Sequence, residues 1–191
     1  MNATKGFKMM VVVVAGIFLS GVGLSAADYP DKPVNLIIGF AAGGETDTVV
    51  RALNDKLTAN LGGQTVVLNK PGSGGLLAAQ QVANASPDGY NLLVLSLSHV
   101  LRQAADNKTP FNVLTDFEPV SRIVTQPIVL AVNKESPFQT IEQMIQFAKE
   151  NPNKLNFGSP GVGSLGHFSG ELFKGATKIS FKHVPFSGSA P

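Results

Sequence analysis

Val34-Asn35-Leu36-Ile37-Ile38-Gly39-Phe40-Ala41-Ala42-Gly43-Gly44-Glu45-Thr46-Asp47 reads in order as a strand, a glycine turn and the opening of a helix. Val34 to Phe40 is apolar except at Asn35 and Gly39, the pattern of a strand buried on both faces of a parallel sheet. Beyond the turn, Thr46 or Asp47 is placed to cap a helix whose Val50, Leu53, Leu57 and Leu61 recur at helical spacing until Gly62-Gly63. Thr65 to Leu68 reads as a second strand, Gly72 to Gly75 as a turn and Leu76 to Ala85 as a small-residue helix. Pro87-Asp88-Gly89 is a tight turn that delivers Tyr90 into a third strand, Leu92 to Leu97. The order β-α-β-α-β predicts an α/β fold with a parallel sheet and right-handed crossovers.

Between Ser98 and Asp116 the periodicity is lost. The chain resumes in two β-branched runs, Val120 to Val124 and Ile128 to Val132, parted by Thr125-Gln126-Pro127, which reads as a hinge between domains. Thr140-Ile141-Glu142-Gln143 is a capping box, and Ile141, Met144, Ile145 and Ala148 make one apolar stripe of the helix that follows. Leu155 to Phe157 leads into a second glycine turn, Gly158-Ser159-Pro160-Gly161-Val162-Gly163-Ser164-Leu165-Gly166-His167. A helix from about His167 to Lys174 and a strand from Ile179 to Val184 complete the reading. Each turn leaves backbone N–H groups at a helix N-terminus, where the macrodipole adds positive charge, so each is placed to receive a carboxylate or phosphate. The two turns read as the two halves of one cleft.

The N-terminus carries Lys5 and Lys8, an apolar run from Met9 to Leu24, and then Ser25-Ala26-Ala27, which reads as a secretory signal over 1–27. Spanning the bilayer takes about 20 apolar residues, and this run is shorter. The chain has no cysteine, which excludes a disulfide framework, a thiolate metal site and a lipidated N-terminal cysteine. Removing the signal takes away two lysines and leaves 13 basic and 13 acidic residues, so the electrostatic footprint of a nucleic-acid binder is missing.

Three kinds of chemistry can be weighed against these residues. Gly161-Val162-Gly163-Ser164-Leu165-Gly166 satisfies the dinucleotide fingerprint formally, yet past Glu171 the chain has no acid to hold a ribose, so no nucleotide cofactor is expected. A serine hydrolase is an alternative through Ser164 and His167, although no serine stands in G-x-S-x-G. His183 reads as a satisfied strand histidine. No His and carboxylate spacing fits a metal site, and no catalytic residue is assigned. Arg51, Arg102 and Arg122 are cations that could meet an anion.

The ordered motifs carry a further reading. Tyr29-Pro30, Pro33-Val34, Ala42-Gly43-Gly44 with Asp47 and Arg51, Asn69-Lys70-Pro71-Gly72 with Gly74-Gly75, and Pro87-Asp88-Gly89-Tyr90 with Leu92-Leu93 come first. Asp116-Phe117 with Pro119-Val120, Asn156-Phe157-Gly158-Ser159-Pro160-Gly161, Gly163-Ser164, His167 with Gly170-Glu171-Leu172, and His183-Val184-Pro185 follow. In this order the chain resembles the Bug, or TctC-like, periplasmic solute receptors of tripartite tricarboxylate transporters. The resemblance implies a periplasmic-binding-protein-like clamshell of two parallel-sheet domains, 28–124 and 125–191, that closes on a small organic carboxylate. It further implies a monomer in the periplasm that hands its solute to the transporter's membrane permease subunits.

Ligand contacts are expected from Phe40, Ala42, Gly43, Gly44, Thr46 and Asp47 on one wall, and from Ser159, Gly163, Ser164, His167 and Ser189 on the other. Asp47 is expected to shape its turn as an N-cap, because a carboxylate aimed at an anionic ligand would repel it. The chain departs from the family pattern at Glu45, which sets an anion beside the first turn, and at Phe186-Ser187, where a tyrosine and a basic residue are usual. It also stops at Pro191, before the point where the family completes its second domain. On that reading the second domain is incomplete, the chain is a fragment or a remnant of a receptor, and self-association through exposed apolar surface is expected.

Overall fold

The computed structural model describes residues 29–105 and 109–190. The expected signal over 1–27 lies outside them. The leading strand β1, Val34–Ile38, forms the centre of a three-stranded parallel sheet, with β2, Thr65–Asn69, on one side and β3, Asn91–Val94, on the other. Register runs from Val34 opposite Thr65 to Ile38 opposite Asn69, and from Asn35 opposite Asn91 to Ile38 opposite Val94. The connections are helical, as parallel pairing requires: α1, Glu45–Leu61, and α2, Leu76–Ala83.

Burial on both faces explains the continuous apolar run of β1. Leu36, Ile38 and Phe40 alternate along the chain and pack with Val50 of α1, while Val67, Leu92 and Val94 of the neighbouring strands close over them. Ile37 points the other way and is as fully buried. Gly39 is a glycine for a reason of space: a Cβ there would come within 2.6 Å of the Gly75 Cα, in the turn before α2. Burying a leucine or isoleucine of this kind contributes about 1.5–3 kcal/mol, so the β1 residues dominate the local energetics.

A second sheet is built from β4, Asn156–Ser159, and β5, Lys182–Pro185, again parallel, with Asn156 opposite Lys182 and Ser159 opposite Pro185. Before it stands α4, Ile141–Glu150, whose N-cap Thr140 accepts a bond from the Gln143 N–H; between the strands runs α5, Leu165–Thr177. The Gln143 carboxamide reaches back to the N–H of Gln139 rather than of Thr140, so the capping box closes one residue early. Met144 and Ala148 of the expected stripe are buried, Ile145 is half-buried and Ile141 is exposed. Gly170 of α5 sits over the Phe157 ring, where a Cβ would be 2.3 Å away.

Two expectations are corrected. The third strand stops at Val94 rather than Leu97, and a helix, α3, Leu97–Ala105, opens where the sequence shows no periodicity. That helix buries Ser98 and His99 and exposes Leu97 and Val100, so its pattern is inverted relative to the usual amphipathic rule. The runs Val120 to Val124 and Ile128 to Val132 form no strand among the described residues. A strand exists only through a ladder partner, and here none is supplied: Val120 is 79% exposed and Val129 77%.

Candidate functional site

The first glycine turn is held by the residue that follows it. Gly43 lies at φ +78°, in the left-handed region that glycine occupies without strain, and Gly44 is the N-cap of α1 with no side-chain cap. Asp47 is therefore not the N-cap. It is the third residue of the helix, and its carboxylate turns back to accept the Gly43 N–H at 2.8 Å while taking the Arg51 Nε at 2.9 Å and 3.0 Å through both oxygens. Arg51 in turn donates from Nη2 to the Asn69 carboxamide, whose Nδ2 donates to the Phe40 carbonyl.

The Arg51 hydrogen bond is the largest influence on Asp47 and, with the Gly43 N–H, holds its carboxyl down to about 2 although burial acts the other way. Asp47 and Arg51 thus tie the turn to the end of β2. Their charges are spent on each other.

The second turn is braced in the same manner by different chemistry. Ser164 caps α5 by accepting the His167 N–H at 3.2 Å, and the His167 Nδ1 accepts the Gly163 N–H at 3.2 Å. The His167 ring stacks on His183 with centroids 4.3 Å apart, and the His183 Nε2 lies 2.7 Å from the Ser159 Oγ. Burial first, and the charge of His167 second, push the His183 imidazole below its ordinary range. Ser159 accepts the Gly161 N–H, which fixes Gly161 at φ +135°. The Ser164 hydroxyl meets the backbone of His167 and not its ring, so the two are not arranged as nucleophile and base.

Each turn is met by a segment of the other half. Gly74 of the Asn69–Gly75 connection lies against the second turn, where a Cβ would come within 2.7 Å of the Val162 carbonyl. The loop leaving β5 lies on the first turn: the Ala41 N–H donates to the Ser187 carbonyl and the Glu45 N–H to the Ser189 hydroxyl, both at 3.3 Å. Between these contacts is a cleft of about 440 Å³, lined by Gly39, Phe40, Pro71 to Gly74, Pro160 to Val162, and Pro185 to Ser187. A separate hollow of about 390 Å³ is lined by Arg51, Asn54, Asp55 and Gln64 to Val67.

Of the residues expected from the sequence, Phe40 lines the cleft itself. Gly44 lies beside Ser189, Gly163 lies against Arg102, and Ser159 and Ser164 are buried as braces beneath the second turn. Ala42 and Gly43 are exposed, and Thr46 is half-buried. Sequence reasoning missed the contribution of Gly72 to Gly74 to the wall, although three positive-φ glycines in four residues, Gly72, Gly74 and Gly75, are a signal of close backbone approach.

The chain is similar to a set of known proteins. A model of the family described as "Tripartite tricarboxylate transporter family receptor" matches residues 49–191. BugT of Bordetella pertussis is 33% identical over 197 aligned residues, which take in 100% of this chain and 59% of BugT. Among solved structures, Rpa4515 of R. palustris with adipate is 34% identical at a TM-score of 0.80, and MatC of Rhodopseudomonas palustris with bound malate is 32% identical at 0.80. Each alignment covers 85% of this chain, with 55% of the first structure and 56% of the second. The chain spans about half the length of the curated relatives it matches, from 48% to 59% among those with the two highest identities and BugT. The architecture is that of the periplasmic-binding-protein-like clamshell, and the chain belongs to the TctC family of tripartite tricarboxylate transporter receptors.

Proposed function

We propose that this chain is part of an exported receptor that captures a small carboxylate in the cleft between its two sheets and delivers it to the permease of a tripartite tricarboxylate transporter. The observation that supports the reading is a cleft of about 440 Å³ lined by Gly39 and Phe40, which lead into the first glycine turn, and by Pro160 to Val162 of the second, each turn opening a helix. Backbone N–H groups at helix N-termini recognise carboxylates without a dedicated cation, which fits a cleft lined by glycine, proline and phenylalanine. Similar solved structures, one with adipate and one with bound malate, support a dicarboxylate as the solute class.

On this reading Asp47 and Glu45 do not meet the solute. Asp47 is neutralised by Arg51, and Glu45 is not among the residues that line the cleft. The site acts in the periplasm, to which the 1–27 signal directs it, and performs no covalent chemistry. Isothermal titration of the chain with adipate, malate, citrate and a monocarboxylate tests the proposal. Saturable binding of at least one of them at micromolar concentration is the expected result; absence of heat with every carboxylate at millimolar concentration contradicts it.

A further inference from the structure

The N-terminus of α5 is capped twice, by residues of different halves. Its own N-cap, Ser164, takes the N–H of the third helical residue, His167. The N–H of the first, Leu165, donates instead to the Ser98 hydroxyl at 2.9 Å, 67 positions earlier in the chain, on α3. Ser98 is 3% exposed. It belongs to the first half through its neighbour His99, which is 0% exposed: the ring lies against Gly75, where a Cβ would come within 2.8 Å of Nε2, and Nδ1 is held at the Ser96 backbone. One turn further along α3, Arg102 lies on Gly163, with Nη1 2.3 Å from where a Cβ would stand.

We infer that Ser98 is a closure latch, a positioning residue that holds the second glycine turn against the first half before any solute arrives. The bond is suited to that work. A helix-terminal N–H has no partner within its own helix, so when α5 docks on α3 the donor must be satisfied from across the gap or remain buried and unpaired. Among the described residues, the bonds between the halves to Ser187 and Ser189 are longer at 3.3 Å, and the Glu45 bond to Ser189 is exposed whereas the Leu165 bond is half-buried, so solvent competes more with the former. His99 fixes α3 to the first half, Ser98 reaches across, and the packed Arg102 restricts sliding. Closure is thereby biased in the free protein, and solute affinity rises with the fraction already closed. That last consequence rests on the proposed solute-binding function; the latch itself rests only on the geometry.

The chain has no cysteine, so spin labels can be placed at will. In the full chain, Lys56→Cys on α1 and Lys149→Cys on α4, both exposed, report the distance between the halves by pulsed electron resonance. Ser98→Ala removes the acceptor. Leu165→Pro removes the donor at a position where proline suits a helix, and the preceding Ser164 at ψ 162° is already in the extended conformation that proline demands. Without solute, each variant is expected to raise the population at longer distance about fivefold, the change one net hydrogen bond makes to a two-state equilibrium, and the double variant to add nothing further. Ser98→Thr, which keeps the hydroxyl, is expected to give the parent distribution. A parent-like distribution in either Ser98→Ala or Leu165→Pro, with the variant folded by its melting transition, overturns the latch whatever the protein binds; loss of the transition in one variant leaves the other to decide.

Discussion

Asp47 shows how a single residue can mislead in role and still be legible in kind. An acid two or three residues after a glycine turn reads as a helix cap, and the carboxylate does satisfy a turn N–H, but it does so from inside the helix and with Arg51 as its counter-charge. Because its folded-state value lies below the ordinary carboxylate range, its stabilisation is fully present above about pH 4 and is lost as pH falls toward about 2. The shift corresponds to about 2 kcal/mol. Asp47→Asn is expected to lower the melting temperature at pH 7 and to flatten the acid limb between pH 4 and 2; an unchanged limb would show that the pair with Arg51 contributes nothing. The glycines separate in the same way. Gly44 has an ordinary φ of −74°, so Gly44→Val acts through space alone, crowding Ala41 and Ser189, whose nearest atoms lie 3.3 Å from the new Cβ. Gly163 stands at φ +79°, so Gly163→Val adds backbone strain of order 1–3 kcal/mol to its clash with Arg102. Both are expected to abolish carboxylate binding by calorimetry, with the melting temperature falling clearly only for Gly163→Val.

At the level of elements, the strands and helices around β1 were legible because burial on both faces leaves an uninterrupted apolar run and each helix repeats at 3.6 residues. Helix α3 was not, because its apolar residues face outward while Ser98 and His99 are enclosed. The polar pattern there answers to contacts made at Gly75 and Leu165, 24 and 67 residues away, which no local period records. The two β-branched runs between Val120 and Val132 failed in the opposite sense. Their composition asks for a sheet, but strand propensity expresses itself only against a partner, and no described strand pairs with them. His99 gives α3 a measurable signature. Burial holds its imidazole below the ordinary histidine range, so the folded state resists a proton that the unfolded chain accepts. Stability is then complete above about pH 6.5 and declines as pH falls below it. His183, lowered chiefly by its own burial, adds to the same slope. His99→Gln is expected to reduce the dependence of melting temperature on pH between 7 and 5 without removing it, and an unaltered slope would place the effect wholly elsewhere.

For the whole molecule, the fold class and the two strand-to-helix glycine turns were readable from sequence, whereas the wall of the cleft was not. The turns announce themselves by glycine at the strand-to-helix step. The wall depends on Gly74 meeting Val162 and on the Ser187 to Ser189 loop lying over Ala41 and Glu45, contacts between segments more than 80 residues apart. The sequence likewise placed Ser164 and His167 at the second turn without showing that the histidine ring braces Gly163 instead of facing the serine. The central claim is that both turns serve one carboxylate. It is tested most directly by titrating the ¹⁵N-labelled chain with adipate or malate and following the backbone amides. The account predicts that amides of the Gly39 to Thr46 segment and of the Gly161 to His167 segment shift together along one saturation curve; shifts confined to one turn, or amides that follow two different curves, would contradict it.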